Sequence, residues 1–320
     1  MKKVIGIDIG GTAIKYGLLD ETGRILTKSE CAVDKQAGGP GILKAVLGIV
    51  EEQMKAEGAE TILGTAISSA GMVDVERGEI FYAGPTIPGY TGTSFKREIS
   101  SRFHIPCEVE NDVNCAGLAE YRSGAARGAR SMVCLTIGTG IGGCAVVDGH
   151  VLHGVCGSAM EIGYMHLEGG DFQSLGSAQT LSERVAEAKY DTADKWDGRR
   201  IFAAAKEGDD VCIRMIDEMC RVLGIGLANL CYCLNPEVIV LGGGIMAQKE
   251  YLYPRIRRAL DENLKPVIAQ HTRLTFAAYG NSAGMMGAFY HFMSRQGYFS
   301  GEWRIVQRHN GPRWKSFIIL

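Results

Sequence analysis

Hydrophobic and polar positions along the chain change their period several times. Helical spacing of apolar residues covers 42–55, 111–124, 182–189, 211–234 and 284–294, and a further helix is expected from about residue 94. Short apolar runs at 61–68, 104–110 and 238–241 predict buried strands. Strands and helices therefore alternate, which is typical of the α/β class.

A unit of strand, glycine turn and strand occurs twice in the sequence. Gly10 aligns with Gly138 and Asp20 with Asp148, so the two copies are offset by 128 residues. The second copy ends in Asp148-Gly149, a pair that favours a two-residue hairpin turn. Two such hairpins, one in each half of the chain, predict two similar domains that face each other.

The spacing Gly138-x-Gly140-x-x-Gly143 also matches the dinucleotide-binding fingerprint. That fingerprint must open a helix, because the pyrophosphate binds at the helix N-terminus. Here the glycines lead into residues 144–149, which read as a strand followed by a hairpin turn. The sequence therefore argues against a Rossmann dehydrogenase.

Composition narrows the classes of function. Glycine supplies 43 of the 320 residues, so many backbone positions require unusual dihedral angles or close approach to another group. A formal net charge of −2 argues against a nucleic-acid-binding protein. No apolar run is suited to a signal peptide or a membrane span, and the ten cysteines contain no C-x-x-C pair. We expect about two domains, no membrane association and a cytoplasmic location.

Polar side chains in the first hairpin suggest phosphate chemistry. A glycine turn exposes backbone N–H groups that an anion can approach closely. Asp8 ends an apolar strand, where an unpaired carboxylate is costly and binding of Mg²⁺ is a better explanation. Thr12 adds a hydroxyl and Lys15 a cation in the same hairpin. Two such turns could hold a polyphosphate between them.

Several motifs, taken in order, resemble those of a known family. Residues 8–15, 136–143 and 241–244 are similar to the phosphate-1, phosphate-2 and adenosine motifs of the actin-like ATPase superfamily. Residues 110–116 match the E-N-D-x-N-x-A signature of the ROK family (repressors, open reading frames and kinases), whose enzymes are ATP-dependent sugar kinases. Residues 161–164 match the E-x-G-H segment of that family except at the last position. The resemblance extends from residue 1 to about residue 295.

This resemblance implies an architecture and a reaction. The fold would be the two-domain α/β fold of actin-like ATPases, which is ribonuclease H-like and has a central cleft. The small domain would cover 1–118, joined by a C-terminal helix at about 284–320, and the large domain 119–283. The substrates would be a hexose, phosphorylated at its 6-hydroxyl, and ATP with Mg²⁺, and the chain would form a homodimer.

The resemblance also assigns roles to individual residues. Asp112 would be the general base, Asn111 and Glu161 would bind other sugar hydroxyls, and Gly71 would let the backbone approach the sugar. Nucleotide binding would involve Asp8, Gly10, Gly11, Thr12, Lys15, Thr136, Gly138, Thr139, Gly140, Gly243 and Gly244, with Asp8 holding Mg²⁺ through water. Asn111-Asp112 is equally typical of a helix N-cap, and one position can serve both purposes.

Two departures from the family pattern concern zinc and the sugar. Tyr164 replaces the family histidine, and residues 173–182 lack the usual cysteine cluster, so we expect no structural zinc. The second sugar-binding glutamate of the family has no clear counterpart, although Ser182 or Glu183 could occupy its position. Glucose, N-acetylmannosamine and a β-glucoside therefore all remain open as substrates.

Two functions of other classes are alternatives to a hexose kinase. An ATPase of the actin or chaperone type would use the same hairpins without a small acceptor, but Asn111, Asp112 and Glu161 favour a kinase. A sugar-sensing repressor would carry a helix-turn-helix segment before the first hairpin. Only three residues precede Val4, so DNA binding is not expected. No role is assigned to residues 301–320.

Overall fold

The computed structural model describes residues 1–34, 36–84 and 87–298. Its strands are β1 (Lys3–Ile9), β2 (Ala13–Asp20), β3 (Ser29–Ala32), β4 (Ile62–Ser69), β5 (Met72–Asp74), β6 (Glu79–Tyr82), β7 (Cys107–Asn111), β8 (Ser131–Ile137), β9 (Ile141–Val147), β10 (His150–Val151), β11 (His166–Leu167), β12 (Gly170–Asp171), β13 (Val238–Gly242) and β14 (Arg273–Phe276). Its α-helices are α1 (Gly38–Glu57), α2 (Phe95–Phe103), α3 (Asp112–Arg122), α4 (Phe172–Gly176), α5 (Ala178–Ala188), α6 (Gly198–Lys206), α7 (Asp210–Leu234), α8 (Lys249–Asn263), α9 (Pro266–Ala269) and α10 (Ala283–Arg295). The predicted segment 301–320 lies outside the described residues.

Two five-stranded sheets share one topology. The first has the order β3-β2-β1-β4-β7 and the second the order β10-β9-β8-β13-β14. In each sheet the first hairpin strand is antiparallel to its hairpin partner and parallel to the strand on its other side. The structure thus reproduces the internal repeat. The glycines at 138–143 lead into strand β9, as expected for a hairpin and not for a dinucleotide-binding helix.

The first sheet is covered by helices on both faces. Along β1 successive side chains point to opposite faces, and both faces are apolar. Ile5 and Ile7 belong to a buried cluster that includes Ile42 of α1, whereas Val4 belongs to a cluster that includes Phe289 of α10. Burial on both faces explains why β1 and β4 read as continuous apolar runs.

Helices α3 and α10 cross between the two sheets. Helix α3 follows β7 of the first sheet and packs on β8 and β9 of the second, and α10 follows the second sheet and packs on the first. The helix backbones approach closely, because a β-carbon at Gly287 would lie 1.8 Å from the carbonyl oxygen of Cys115. The chain therefore passes from one sheet to the other along two packed helices.

The sequence-based boundary between 118 and 119 lies inside α3. Leu118 and Ala119 are buried, and the helix continues to Arg122. A helix with a continuous apolar face has no reason to break at that point. The chain therefore leaves the first sheet at Asn111 and reaches the second at Ser131, and the assignment of residues 1–118 and 119–283 to domains stays a prediction.

The second sheet is backed by the long helix α7. Asp209 caps its N-terminus by accepting a hydrogen bond from Cys212 N, and Asn235 ends it in the left-handed conformation with φ of 45°. This helix confirms the prediction for 211–234. In the described part of the chain, no helix combines the length and apolarity needed to cross a membrane.

Candidate active site

The first glycine turn joins β1 to β2. The N–H of Gly10 donates to the carbonyl oxygen of Ala13 at 3.0 Å, which closes the turn. Asp8 pairs in register with Lys15 on the opposite strand, so the predicted carboxylate and cation lie side by side. Gly11 and Thr12 form the exposed tip of the turn. The predicted phosphate-binding hairpin is therefore formed as a local unit.

Three neighbours define the environment of Asp8. Ser68 on the adjacent strand β4 donates its hydroxyl to Oδ1 of Asp8 at 2.7 Å. Burial raises the pKa of the Asp8 carboxyl, while Ser68 and Lys15 act in the opposite direction. A β-carbon at Gly284 would lie 2.2 Å from Oδ1 of Asp8, so the start of α10 approaches the carboxylate closely.

The second glycine turn joins β8 to β9 in the same way. The N–H of Gly138 donates to the carbonyl oxygen of Gly140 at 2.9 Å, and the carbonyl of Gly138 accepts from Ala178 N at 3.0 Å. This second bond fixes the start of α5 beside the turn. Gly140 faces α4, because a β-carbon there would lie 2.6 Å from Oε1 of Gln173.

The third glycine motif follows β13. Gly243 has φ of 101°, and its β-carbon would lie 2.1 Å from the carbonyl oxygen of Ile137 at the end of β8. Both facts require glycine. Gly244 has no neighbour within 4 Å of its β-carbon position and opens into space. The turn thus brings a glycine-rich backbone segment next to the second hairpin.

A cavity of about 710 Å³ lies between the two sheets. It is lined by elements of both halves of the molecule. Among the predicted site residues, those in its lining are Asp8, Gly10, Lys15, Asp112, Thr136, Gly243 and Gly244. Glu120 of α3 and Gly284 of α10 also line it, although the sequence analysis assigned neither. Residues of both halves therefore face one common space.

A second cavity, of about 740 Å³, adjoins the first. It contains the predicted residues Gly138 and Thr139, and both cavities are lined by Gly244 and Ala247. Gly11, Thr12, Gly140, Gly71, Asn111 and Glu161 line neither of the two. The structure therefore groups most, but not all, of the predicted nucleotide-binding residues around two adjoining cavities.

Asn111 and Asp112 serve as cap and first residue of α3. Oδ1 of Asn111 accepts hydrogen bonds from Val113 N at 2.9 Å and Asn114 N at 3.0 Å. The amide of Asn111 donates to Oδ1 of Asp112 at 3.0 Å and to the carbonyl oxygen of Gly71 at 2.9 Å. The cap therefore orients the Asp112 carboxylate and connects it to Gly71.

Asp112 has the electrostatic environment of a proton acceptor. Burial raises the pKa of its carboxyl to about 6, with further contributions from the negative charges of Asp8 and Glu161. The hydrogen bond from Val113 N acts in the opposite direction. A carboxylate with a pKa near neutrality is both available and basic enough to take a proton from a hydroxyl.

Glu161 precedes a short 3-10 turn at Ile162–Tyr164. It is exposed, but partial loss of hydration raises the pKa of its carboxyl. Its charge contributes to the raised pKa of Asp112. Tyr164, at the position of the family histidine, has 62% of its surface exposed. Glu161 and Asp112 thus lie near each other although they come from different halves of the chain.

The residues present fit a nucleotide with Mg²⁺. Protein-bound Mg²⁺ commonly uses one or two carboxylates and takes its remaining ligands from water and substrate phosphates. Asp8 supplies such a carboxylate at the cavity, and Lys15 supplies a cation for phosphate oxygens. Within the described ranges, no three His, Cys, Asp or Glu side chains cluster as a metal site. The absence of structural zinc stays a prediction.

Besides Glu120, three residues around the site were not predicted from the sequence. Ser68 and Gly284 contact Asp8 from β4 and α10, and no local motif marks either of them. In the sequence, Glu110 stands out only as the first residue of the E-N-D-x-N-x-A signature. It is a buried carboxylate that accepts a hydrogen bond from His153. Its position beside Asn111 and Asp112 was the one available signal.

Comparison with known proteins identifies the class. The family model described as "ROK family" matches residues 4–295, and the chain belongs to the ROK family. An uncharacterized protein of Clostridium perfringens is 44% identical over 89% of this chain and 96% of its own length. The β-glucoside kinase of Klebsiella pneumoniae is 33% identical over 91% of this chain and 96% of its own length.

A solved structure extends the comparison to the fold. The crystal structure of a ROK family glucokinase from Streptomyces griseus, in complex with glucose and AMPPNP, matches with a TM-score of 0.75 and 28% identity. The match covers 89% of this chain and 97% of that chain. The predicted actin-like ATPase fold is confirmed, and so is the prediction of an enzyme of the sugar kinase class.

Proposed function

We propose that this protein transfers the γ-phosphoryl group of ATP to the 6-hydroxyl of a hexose. The observation that carries the proposal is the position of Asp112. Its carboxylate has a raised pKa and lines the same cavity as Asp8 and Lys15. A general base beside a phosphate-binding hairpin is the arrangement that phosphoryl transfer to an alcohol requires.

Each group then has a distinct task. Asp112 accepts the proton of the 6-hydroxyl while the hydroxyl oxygen forms a bond to the γ-phosphorus and the bond from that phosphorus to the bridging oxygen of ADP breaks. Asn111 and Glu161 bind other hydroxyls, and Gly71 lets the backbone approach the sugar. Lys15 and the N–H groups of the glycine turns hold the phosphates.

The remaining nucleotide contacts are those that the family motifs imply, and most of the residues concerned line one of the two adjoining cavities. Asp8 would hold Mg²⁺ through water, and the bound ion would neutralise charge on the phosphoryl oxygens. Thr136, Gly138, Thr139 and Gly140 would contact the phosphates, and Gly243 and Gly244 the adenosine, with Gly11 and Thr12 closing over the phosphates. Most of the rate enhancement then comes from positioning and charge stabilisation.

Three hexoses are candidate substrates, and the two relatives described above support two of them. The Streptomyces griseus relative binds glucose, and the Klebsiella pneumoniae relative is a β-glucoside kinase of higher identity to this chain. Glucose is the first candidate and a β-glucoside the second, with N-acetylmannosamine as a third sugar to be compared.

A homodimer is also part of the proposal. Light scattering of the purified protein measures the oligomeric state.

A coupled assay of ADP release tests the function. Purified protein is given Mg·ATP with glucose, N-acetylmannosamine or a β-glucoside, and with no sugar. We expect turnover that depends on a sugar and a loss of roughly 10²- to 10⁴-fold in Asp112→Ala. Asp148→Asn is the matched control, because Asp148 occupies an exposed hairpin turn with φ of 48°, which asparagine adopts readily.

Each other result contradicts a stated part of the proposal. Turnover without sugar would indicate an ATPase of another kind, and sugar binding without turnover would indicate a sensor. Activity of Asp112→Ala within a few-fold of the unchanged protein would reject Asp112 as the base.

A further inference from the structure

Glu110 is a buried carboxylate two residues before the proposed base, Asp112. It lies in β7, and its side chain is only 1% exposed. A buried carboxylate is costly unless several donors satisfy it. The function proposed above gives Glu110 no task, so its hydrogen-bond partners are informative.

One carboxylate oxygen of Glu110 organises the first turn of α3. Oε1 accepts hydrogen bonds from Asn111 N at 2.8 Å and from Nδ2 of Asn114 at 3.1 Å. Both donors belong to the segment that holds Asp112. The position of Glu110 therefore affects where the Asp112 carboxylate points.

The other oxygen faces two histidines. Nε2 of His153 donates to Oε2 of Glu110 at 2.7 Å, and Nδ1 of His291 lies 3.4 Å from the same oxygen. The hydrogen bond to Glu110 raises the pKa of His153, whereas burial lowers the pKa of His291. Of the two histidines, His153 is thus the one that can carry a positive charge beside the negative charge of Glu110.

His153 belongs to the other half of the molecule. It follows β10 of the second sheet and begins the segment that leads to Glu161. Its carbonyl oxygen accepts a hydrogen bond from Ala159 N at 3.1 Å, which shapes that segment. Gly157 in the same segment packs so closely on the first half that its β-carbon would lie 2.5 Å from the carbonyl oxygen of Val73.

We infer that His153 is a positioning residue for phosphoryl transfer, which holds Asp112 in place through its hydrogen bond to Glu110. The inference rests on the proposed function, because it requires Asp112 to be the base. The Glu110–His153 pair joins strand β7, which leads directly into Asp112, to the segment that carries Glu161. When the two halves of the molecule are in contact, the proposed sugar-binding carboxylates of Asp112 and Glu161 are then fixed relative to each other.

The test compares His153→Ala in two backgrounds. In the otherwise unchanged protein, we expect kcat with the preferred sugar to fall about 10- to 100-fold, as misplacement of a reacting group does. In Asp112→Ala, the same change should lower kcat by less than about threefold, because residues that act as a unit are not additive. A merely structural role would give the same loss in both backgrounds. His150→Ala is the matched control, since His150 is exposed in the same hairpin and its ring forms a hydrogen bond with the backbone carbonyl of Asp148.

A conservative variant completes the design. His153→Gln keeps a donor of similar reach and should retain kcat within about threefold of the unchanged protein. Calorimetric titration with Mg·ATP, with a stoichiometry near one per chain, verifies that each variant is folded. Should His153→Ala not fold, His153→Asn, whose amide is too short to reach Glu110, takes its place.

The two hypotheses fail in different ways. If Asp112→Ala itself retains activity, the proposed function is rejected. If Asp112→Ala is impaired but His153→Ala has unchanged kcat, or loses equally in both backgrounds, the inference about His153 is overturned while the proposed function stands.

Discussion

Gly284 leaves room for the carboxylate of Asp8. A β-carbon at Gly284 would lie 2.2 Å from Oδ1 and 2.8 Å from Oδ2 of Asp8. The first turn of α10 therefore contacts the carboxylate at the end of β1, and no side chain can separate them. Because both residues line the central cavity, this contact fixes one wall of the proposed phosphate site.

We expect Gly284→Ala to impair nucleotide use more than stability. The added methyl group would displace the Asp8 carboxylate and break its hydrogen bond with Ser68, while alanine favours the helix. kcat/KM for ATP should fall about 10- to 100-fold. Steady-state kinetics with varied ATP, together with a melting curve, provide the measurement.

Gly48→Ala in α1 is the control for this substitution. No atom outside the adjoining helix backbone lies within 4 Å of the β-carbon position at Gly48, and the residue does not line the cavity. It should gain about 0.5–1 kcal/mol of stability from helix propensity and keep its activity. Equal kinetics for Gly284→Ala and Gly48→Ala would contradict the role assigned to the contact with Asp8.

The pH dependence of turnover should report Asp112. Burial raises the pKa of this carboxyl to about 6, so the group is ionised above that pH and protonated below it. Only the ionised form accepts a proton, and kcat/KM for the sugar should therefore fall as the pH decreases through about 6. The decrease should approach tenfold per pH unit well below that value, as one protonation requires.

The profile is measured from pH 5 to pH 8 with ATP and Mg²⁺ saturating. Asp148→Asn should give the same profile, since it leaves the cavity unchanged. A flat profile over this range would contradict Asp112 as a base with a raised pKa.

The parts of the molecule that depend on neighbouring residues were predicted correctly from the sequence. The glycine turns at Gly10 and Gly138 form because each hairpin contains its own turn signal. Asn111 caps α3 through hydrogen bonds to N–H groups two and three residues ahead. Turns and helix caps, which depend on residues close together in the chain, can be predicted from a single sequence.

Contacts between distant segments could not be predicted from the sequence. His153 and Glu110 are 43 residues apart, and nothing in either segment specifies that they meet. The same holds for Gly284, because its close contact is with Asp8 at the other end of the chain. The predicted boundary after residue 118 stays a prediction, but it lies inside α3, whose apolar face continues from one sheet to the next. Tertiary packing decided these features.

Removal of metal should affect turnover and not the fold. Asp8 is the proposed Mg²⁺ carboxylate, and within the described ranges no three His, Cys, Asp or Glu side chains form a separate metal site. We expect excess EDTA to abolish ADP release and added Mg²⁺ to restore it. The melting temperature of the nucleotide-free protein should not change with EDTA. A lower melting temperature, restored by zinc alone, would reveal a structural zinc.

The crossing of α3 and α10 should tolerate no side chain at Gly287. A β-carbon there would lie 1.8 Å from the carbonyl oxygen of Cys115 and 2.5 Å from its α-carbon. These are backbone atoms of a packed helix, so the clash can be relieved only by moving one helix away from the other. Overpacking of this kind typically costs about 1–3 kcal/mol, and we expect Gly287→Ala to reach the upper end.

Thermal unfolding measures this effect. A loss of about 3 kcal/mol should lower the melting temperature by roughly 5–10 °C in a chain of this size, whereas Gly48→Ala should raise it slightly. Because the crossing helices also join the two sheets, kcat should fall together with stability in Gly287→Ala. A variant with unchanged melting temperature would mean that the helices can separate at Cys115 without loss, and the crossing would then be a loose contact and not the fixed connection between the two halves.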